Sequence, residues 1–154
     1  MLHMGDDISE KLDYEPGHFS VEQHIRSKWA CRRCETVVQK PVDAHVIDKG
    51  IPTTNLLAQV LIAKYADHQP LYQQQQIYQR AGVDLPRTTL SEWVGRCGSL
   101  RSGQRAANVM TLSQSAKING LDPQRYLKDV LERLPTAKQS DLEGLLPHNW
   151  RSRV

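Results

Sequence analysis

The chain has 154 residues, of which 24% are charged and 39% hydrophobic, and it carries a formal net charge of +3. This length allows one ordinary domain or two small ones, and the longest apolar stretch, residues 56–63, is far shorter than the roughly 20 residues of a membrane-spanning helix. Three cysteines, two of them in a Cys-x-x-Cys pair, argue against a secreted disulfide framework, so we expect a cytoplasmic protein with reduced thiols.

The first forty residues predict β-structure. Apolar and polar residues alternate over 19–26, which is the period of a half-buried strand, and a Pro-Gly pair supplies a turn before it. Shorter strands are expected at 28–31 and 36–40, on either side of a tight knuckle that carries two cysteines. We therefore expect a small antiparallel sheet over residues 11–40.

Helical spacing replaces this alternation further along the chain. The apolar residues of 56–61 recur at helical intervals. Three candidate N-caps precede them: Thr53, Thr54 and Asn55. A second helix is expected to have Pro70 at its first position, and Gly82 is expected to end it.

Residues 88–95 predict a third, short helix. Thr89 and Glu92 have the spacing of a capping box, in which each side chain satisfies a backbone amide of the other. A helix, a glycine turn and a short helix follow one another in a helix-turn-helix. In that interpretation four polar residues are free to contact DNA: Arg87, Thr88, Ser91 and Arg96. Because any helical hairpin shows the same pattern, a purely structural hairpin stays open as the alternative.

The C-terminal third is also predicted to be helical. One helix is expected to end at an Asn-Gly pair. Asp122 is expected to cap the next helix, and Pro135 is expected to end it. A further capping box is expected at residues 140–143. Trp150 is expected to be a packed anchor because its ring has a large apolar surface to bury.

Cys31 and Cys34 are the sharpest chemical signal in the sequence. Two thiolates three residues apart can hold one zinc ion, but a structural zinc site takes four ligands, so the pair is half a site. Two free or buried thiols, or a redox pair, are the alternatives. Cys97 is too distant to be expected as a further ligand. The sequence holds no hydrolytic constellation and no glycine-rich phosphate loop, so no catalytic residue is predicted.

Seven segments of the chain resemble transposases of the bacterial insertion sequence 66 family. The resemblance begins at the cysteine knuckle and its linker, continues through the helical region, and ends in the last helices. The segments are KWACRRCE at 28–35, IDKGIP at 47–52, KYADHQPLY at 64–72, TTLSEWVG at 88–95, SAKINGLDP at 115–123, YLKDVL at 126–131 and LLPHNW at 145–150.

The resemblance implies a zinc finger with two Cys-x-x-Cys pairs. Cys31 and Cys34 match one pair, whereas the other is expected just upstream of the Gly5-Asp6-Asp7 segment and is absent from this sequence. Zinc is therefore a candidate cofactor for which the sequence supplies half of the ligands.

The resemblance also implies a ribonuclease-H-like core, in which three acidic residues hold two divalent metals for phosphodiester transfer. The first of these acids stands in a His-Ala-Asp-Glu-Thr-like motif, and this sequence has no counterpart. Residues 93–98 pass directly into residues 99–107, which resemble the segment that follows the core. We therefore expect an N-terminally truncated, internally deleted fragment without this core, a catalytic metal or strand-transfer activity.

Together these expectations describe an α+β fold that is mostly α. Residues 1–50 form a truncated zinc-ribbon-like β region with its linker, residues 51–98 a helix-turn-helix-like region, and residues 99–154 a C-terminal helical element. The expected function is a transposase remnant that binds the terminal repeats of its element, with DNA and the intact transposase of the same family as partners. The alternative is an inert, partly folded deletion product. Its expected exposed apolar residues are Leu145, Leu146 and Trp150.

Overall fold

A computed structural model describes residues 2–15, 17–41, 46–47, 50–97 and 102–151. Within these ranges an antiparallel sheet is followed by a group of helices, so the α+β class expected from the sequence is confirmed. None of the helices in this described part is both long and apolar enough to cross a bilayer.

The sheet has three antiparallel strands. They are β1 (Leu2–Glu15), β2 (His18–Ala30) and β3 (Val37–Gln39), with β2 in the middle. Gly17 turns the chain between β1 and β2 with a φ of +85°, a conformation that glycine adopts without strain. The register places Leu2 opposite Ala30 at one end of the hairpin and Glu15 opposite His18 at the other.

Two expectations for this sheet are wrong. The strands expected at 19–26 and 28–31 are a single strand, β2, and the sheet extends back to residue 2 instead of beginning at residue 11. Residues 2–11 are mostly polar and show no sustained alternation. Their extended conformation depends on cross-strand pairing with β2, which local sequence patterns do not reveal.

Helix α1 (Thr54–Tyr65) lies at the centre of the core, with seven of its residues buried. As expected, Thr53 caps it: the hydroxyl oxygen accepts a hydrogen bond from the Leu56 N–H at 3.2 Å. The same hydroxyl donates to the carboxylate of Asp13 on β1. The Thr53 N–H also donates to the carbonyl of Leu12 at 2.9 Å, so the sheet is joined directly to the start of α1.

Helices α2 (Leu71–Arg80) and α3 (Arg87–Arg96) form the expected pair. Gly82 lies between them with a φ of +87°, so the predicted glycine turn is confirmed. Pro70 lies at the N-cap of α2 rather than at its first position.

The capping box expected at Thr89 and Glu92 is wrong. Helix α3 begins two residues before Thr89, and its N-cap is Pro86, which makes no side-chain cap hydrogen bond. The proline ring holds φ near the helical value, and the Pro86 carbonyl accepts the first helical bond from Leu90 at 3.1 Å. Thr89 therefore lies inside the helix, which places Arg87 and Thr88 on its first turn.

Two further helices, α4 (Ser102–Ile118) and α5 (Pro123–Arg133), complete the main fold. Asp122 caps α5 as expected, because its carboxylate accepts from the Arg125 N–H at 2.7 Å. Gly120 has a φ of +71° and lies just after α4, which confirms the predicted helix end.

Helix α5 contacts two hydrophobic clusters at once. Leu127 and Leu131 belong to the main cluster around α1, whereas Tyr126 and Val130 belong to a smaller one with Ala116. The C-terminal helices therefore dock on the helical region that precedes them.

Two short 3-10 helices follow α5, at Leu134–Thr136 and Gln139–Leu145. The capping box expected at 140–143 is wrong, because the second of these helices starts earlier. The Asp141 carboxylate accepts from the Lys138 N–H at 3.4 Å, and the Asp141 N–H donates to the Lys138 carbonyl at 2.9 Å.

Trp150 is a packed anchor, as expected. Its Nε1–H donates to the Asp129 carboxylate at 2.6 Å, and its ring meets the Tyr126 ring edge-on at 5.7 Å. Leu145 is buried, and its carbonyl accepts from the Tyr126 hydroxyl at 2.8 Å. Of the three residues expected to be exposed in a partly folded product, only Leu146 is exposed.

Candidate nucleic-acid interface and metal site

The exposed side of α3 carries the four candidate DNA-contacting residues. Arg87, Thr88, Ser91 and Arg96 are all exposed. At about 100° per residue, Arg87 and Arg96 lie roughly 180° apart around the helix, and Thr88 and Ser91 lie between them on the side away from the buried residues. They form what we call the α3 polar face. Its members are the positions expected from the sequence, although the helix begins earlier than predicted.

The opposite side of α3 holds the helix in place. Leu90, Trp93 and Val94 are buried in the main hydrophobic cluster, together with residues of α1 and with Tyr78 of α2. Burial of three large side chains fixes the rotation of α3 about its axis. The α3 polar face therefore points outward from a rigid support.

The electrostatics of this face are uneven along the helix. Arg87 is the first residue of α3, where backbone N–H groups without helical partners add positive potential, and the first turn holds no acidic residue. At the other end, Arg96 pairs with the Glu92 carboxylate at 2.7 Å. Sequence analysis placed Glu92 in a capping box and did not predict this ion pair. The four-residue spacing of Glu92 and Arg96 is the pattern that indicates it, because such residues are neighbours on a helix.

The two cysteines lie on a tight turn that follows β2. The Cys31 N–H donates to the Thr36 carbonyl at 3.1 Å, and the Glu35 N–H donates to the Cys31 carbonyl at 2.9 Å. Glu35 adopts a φ of +53°, which closes the turn. Cys31 is half-buried and Cys34 is exposed, and both thiols are free. We call residues 31–36 the cysteine knuckle.

The knuckle also changes the acidity of one thiol. Hydrogen bonds from the Thr36 side chain, then from the Thr36 backbone and from Cys31, lower the pKa of Cys34. Sequence reasoning did not identify Thr36 as a contributor, because its effect depends on the turn geometry.

We expect Cys34 to be alkylated at lower pH than Cys97, because only the thiolate reacts. The pKa of Cys34 lies below its ordinary 9.0, whereas burial raises the pKa of Cys97 to about 11. Iodoacetamide labelling from about pH 7 to about pH 11, read by peptide mass spectrometry, measures both profiles. Thr36→Val removes the hydroxyl donor and should shift the Cys34 profile to higher pH. Coincident profiles for the two cysteines would contradict this prediction.

The ligand set for zinc is incomplete within the part of the chain that the structure describes. No group of three or more histidine, cysteine or acidic residues gathers there in a way that could hold a metal. Cys31 and Cys34 supply two thiolates of the four ligands that a structural zinc site takes. Because Leu2 pairs with Ala30, the chain enters β1 at the same end of the sheet as the knuckle.

Three family models match the chain. Residues 1–35 match the zinc-finger binding domain of transposase IS66, residues 49–119 match the transposase IS66 family, and residues 111–148 match the IS66 C-terminal element. The last two matches overlap over residues 111–119. No solved structure matches the chain.

Curated relatives come from Sinorhizobium fredii. The chain is 44% identical over 95 residues to the uncharacterized protein y4qI, a match that covers 62% of this chain and 18% of y4qI. It is 44% identical over 94 residues to y4jD, covering 60% of this chain and 18% of that protein, and 37% identical over 92 residues to y4hP, covering 60% and 17%. The match thus spans less than one fifth of the length of these relatives.

Proposed function

Because the chain belongs to the IS66 transposase family, we propose that it binds DNA at the ends of its element through α3 and performs no strand transfer. The observation that carries the proposal is the α3 polar face, held outward by the buried opposite side of the helix. A glycine turn joins α3 to α2, as in a helix-turn-helix.

The arrangement of α3 suits readout of a duplex. In a helix-turn-helix, residues at the start of the second helix contact base edges in the major groove, and Arg87, Thr88 and Ser91 occupy those positions. An arginine can contact guanine or a phosphate, and the hydroxyls can donate to either base edges or phosphate oxygens. Arg96, at the far end of the helix, is placed for the phosphate backbone.

The absence of strand transfer is proposed from the order of the segments. The family resemblance places three acidic residues on a core between the helical region and the C-terminal element. In this chain residues 93–98 pass directly into residues 99–107, which resemble the segment that follows the core. A fragment of this kind can still occupy transposon ends, and we propose that it thereby competes with the intact transposase.

Fluorescence anisotropy tests the DNA-binding proposal. The purified chain is titrated into a labelled terminal-repeat duplex and into a scrambled duplex of equal composition, each at several salt concentrations. Specific recognition predicts a preference of at least about a thousandfold and an affinity that falls as salt rises. Equal affinity for both duplexes contradicts specific binding. Cleavage or joining of labelled ends in the presence of Mg²⁺ or Mn²⁺ contradicts the proposed lack of strand transfer.

Replacing Glu92 by glutamine is expected to tighten DNA binding about fivefold at low salt. The substitution frees the Arg96 guanidinium and removes one negative charge from the surface that meets phosphates. Because both partners of this ion pair are exposed, folding stability should change by no more than about 0.5 kcal/mol. Glu143→Gln removes the same charge from an exposed position in the C-terminal region and should leave the affinity unchanged. Unchanged or weaker binding by Glu92→Gln would count against the α3 polar face as the contact surface.

A further inference from the structure

The described lining of the cysteine knuckle does not fit a zinc site. Two exposed arginines, Arg32 and Arg33, separate the two cysteines. Among the residues that the structure describes, no group of three or more candidate metal ligands gathers, whereas a structural zinc ion takes four. The turn does, however, bring the two thiols of Cys31 and Cys34 to each other.

One backbone turn holds these two thiols side by side. The Glu35 N–H donates to the Cys31 carbonyl at 2.9 Å, a bond that closes residues 31–35 into a single turn. Within the knuckle the Cys31 thiol hydrogen-bonds to Cys34. A disulfide needs Cα atoms less than about 7 Å apart, and residues three apart in a turn satisfy this limit. The two sulfur atoms can therefore be joined without movement of the strands on either side.

The two thiols differ in their access to solvent. Cys34 is exposed, whereas Cys31 is half-buried. Thiol–disulfide exchange begins when an accessible thiolate attacks a disulfide, and it ends when a second thiol displaces the resulting mixed disulfide. Cys34 is placed for the first step, and Cys31, which is hydrogen-bonded to it, is placed for the second. Cys97 packs instead against the main hydrophobic cluster.

The surface of the knuckle favours an anionic reaction partner. Arg32 and Arg33 are both exposed, and Glu35 is the one acidic residue of the knuckle. The two positive charges therefore outweigh the single negative charge beside Cys34. Such an excess attracts a small anion and raises its local concentration. Glutathione disulfide is a small disulfide of this class, because its carboxylates give it a net negative charge.

We propose that the cysteine knuckle is a reversible thiol–disulfide site, in which an anionic low-molecular-weight disulfide oxidises Cys31 and Cys34 to one intramolecular disulfide. The Cys34 thiolate attacks one sulfur of glutathione disulfide, which forms a mixed disulfide and releases one glutathione thiolate. The Cys31 thiol loses its proton to water, and its sulfur then attacks the Cys34 sulfur and releases the second glutathione thiolate. Both released thiolates take up a proton. Two protein thiols are thus oxidised while one small disulfide is reduced to two thiols.

The reaction involves only atoms of the knuckle and of the small disulfide. It requires no second copy of the chain, and it is independent of α3 and of DNA binding. Once the disulfide has formed, neither Cys31 nor Cys34 is available as a metal ligand, since only a thiolate binds the metal. Oxidation and metal binding at the knuckle therefore exclude one another.

Mass spectrometry of the full chain in glutathione redox buffers tests the proposal. After incubation with glutathione disulfide, the remaining thiols are blocked with N-ethylmaleimide in denaturant. The oxidised chain should carry one maleimide, on Cys97, and a peptide map should show Cys31 linked to Cys34. Excess reduced glutathione should reverse the reaction and restore labelling of all three cysteines.

Cysteine variants separate the two steps of the exchange. Cys31→Ser should stop at a stable mixed disulfide with one glutathione on Cys34, because the displacing thiol is gone. Cys34→Ser should react at least about tenfold more slowly, because the thiol that remains is half-buried. Cys97→Ser is the control and should form the disulfide as the unsubstituted chain does. Circular dichroism establishes that each variant is folded.

A charge variant tests the selectivity for an anion. Replacing Arg32 and Arg33 together by glutamine should slow oxidation by glutathione disulfide at low salt. The effect should be about threefold larger than for oxidation by the neutral hydroxyethyl disulfide, because only the anion is attracted by the arginines. Equal slowing with the two reagents would contradict the selectivity.

Three results would overturn the proposal. They are a chain that stays fully reduced in glutathione disulfide alone, a mixed disulfide on the unsubstituted chain that never resolves, and full protection of both thiols by one equivalent of zinc. The last result would assign Cys31 and Cys34 to a metal site. Each of the three leaves the DNA-binding measurement unaffected, so failure of this inference and failure of the proposed function are distinguishable.

Discussion

Replacing Arg87 and Arg96 together by alanine is expected to weaken binding to the terminal-repeat duplex roughly 100-fold. Each arginine contact to a base or phosphate contributes on the order of 1–3 kcal/mol, and about 1.4 kcal/mol corresponds to a factor of ten. Arg87 should contribute more than Arg96, because it lies at the positive end of α3 whereas Arg96 is paired with Glu92. Both side chains are exposed, so the fold should be unaffected.

Anisotropy titrations at several salt concentrations measure this effect and its origin. Loss of two phosphate contacts should reduce the slope of log affinity against log salt by about 2. If the slope of log affinity against log salt falls by less than about 2 and the preference for the terminal-repeat duplex also falls, Arg87 contacts a base and not a phosphate. Arg125→Ala and Lys117→Ala together remove the same two positive charges from exposed positions on α5 and α4 and serve as the control. Equal losses for the control and the double variant would contradict a role for the α3 polar face.

The helical part of the fold could be predicted from local chemistry. Thr53 and Asp122 are caps because a short oxygen-bearing side chain satisfies a free amide, and Gly82 and Gly120 mark helix ends because they adopt positive φ. Trp150 was predictable as an anchor from its size alone. These features depend on neighbours in the chain.

The features that were missed depend on contacts between distant residues. The strand that begins at Leu2 is extended because it pairs with β2. Helix α3 begins after Pro86 and not at the capping-box pattern of Thr89 and Glu92. Which side of the hairpin is covered could not be recognised from alternation alone, since a period of two does not distinguish a covered face from a solvated one. The Cys31–Cys34 pair is visible in the sequence, but its position at one end of the hairpin follows only from the strand register.

Leu127→Ala is expected to lower the free energy of unfolding by about 3–4 kcal/mol. Leu127 is 4% exposed and lies on the side of α5 that packs in the main cluster around α1. Removal of its branched side chain loses the transfer free energy of the buried atoms and leaves a cavity. This is a large part of the 5–15 kcal/mol typical of a whole domain. Leu127 packs the C-terminal element against the helices that precede it, so its substitution tests that contact.

Thermal and urea unfolding followed by circular dichroism measure the change. For a chain of this length the midpoint should fall by about 10 °C, with the transition remaining cooperative. Leu134→Ala is the matched control, because Leu134 is 47% exposed and its loss should change stability by no more than about 0.5 kcal/mol. Equal effects of the two substitutions would contradict docking of α5 on α1. An unsubstituted chain that unfolds without a cooperative transition would favour the inert, partly folded deletion product, since the packing of Leu127 could then have no measurable energetic consequence.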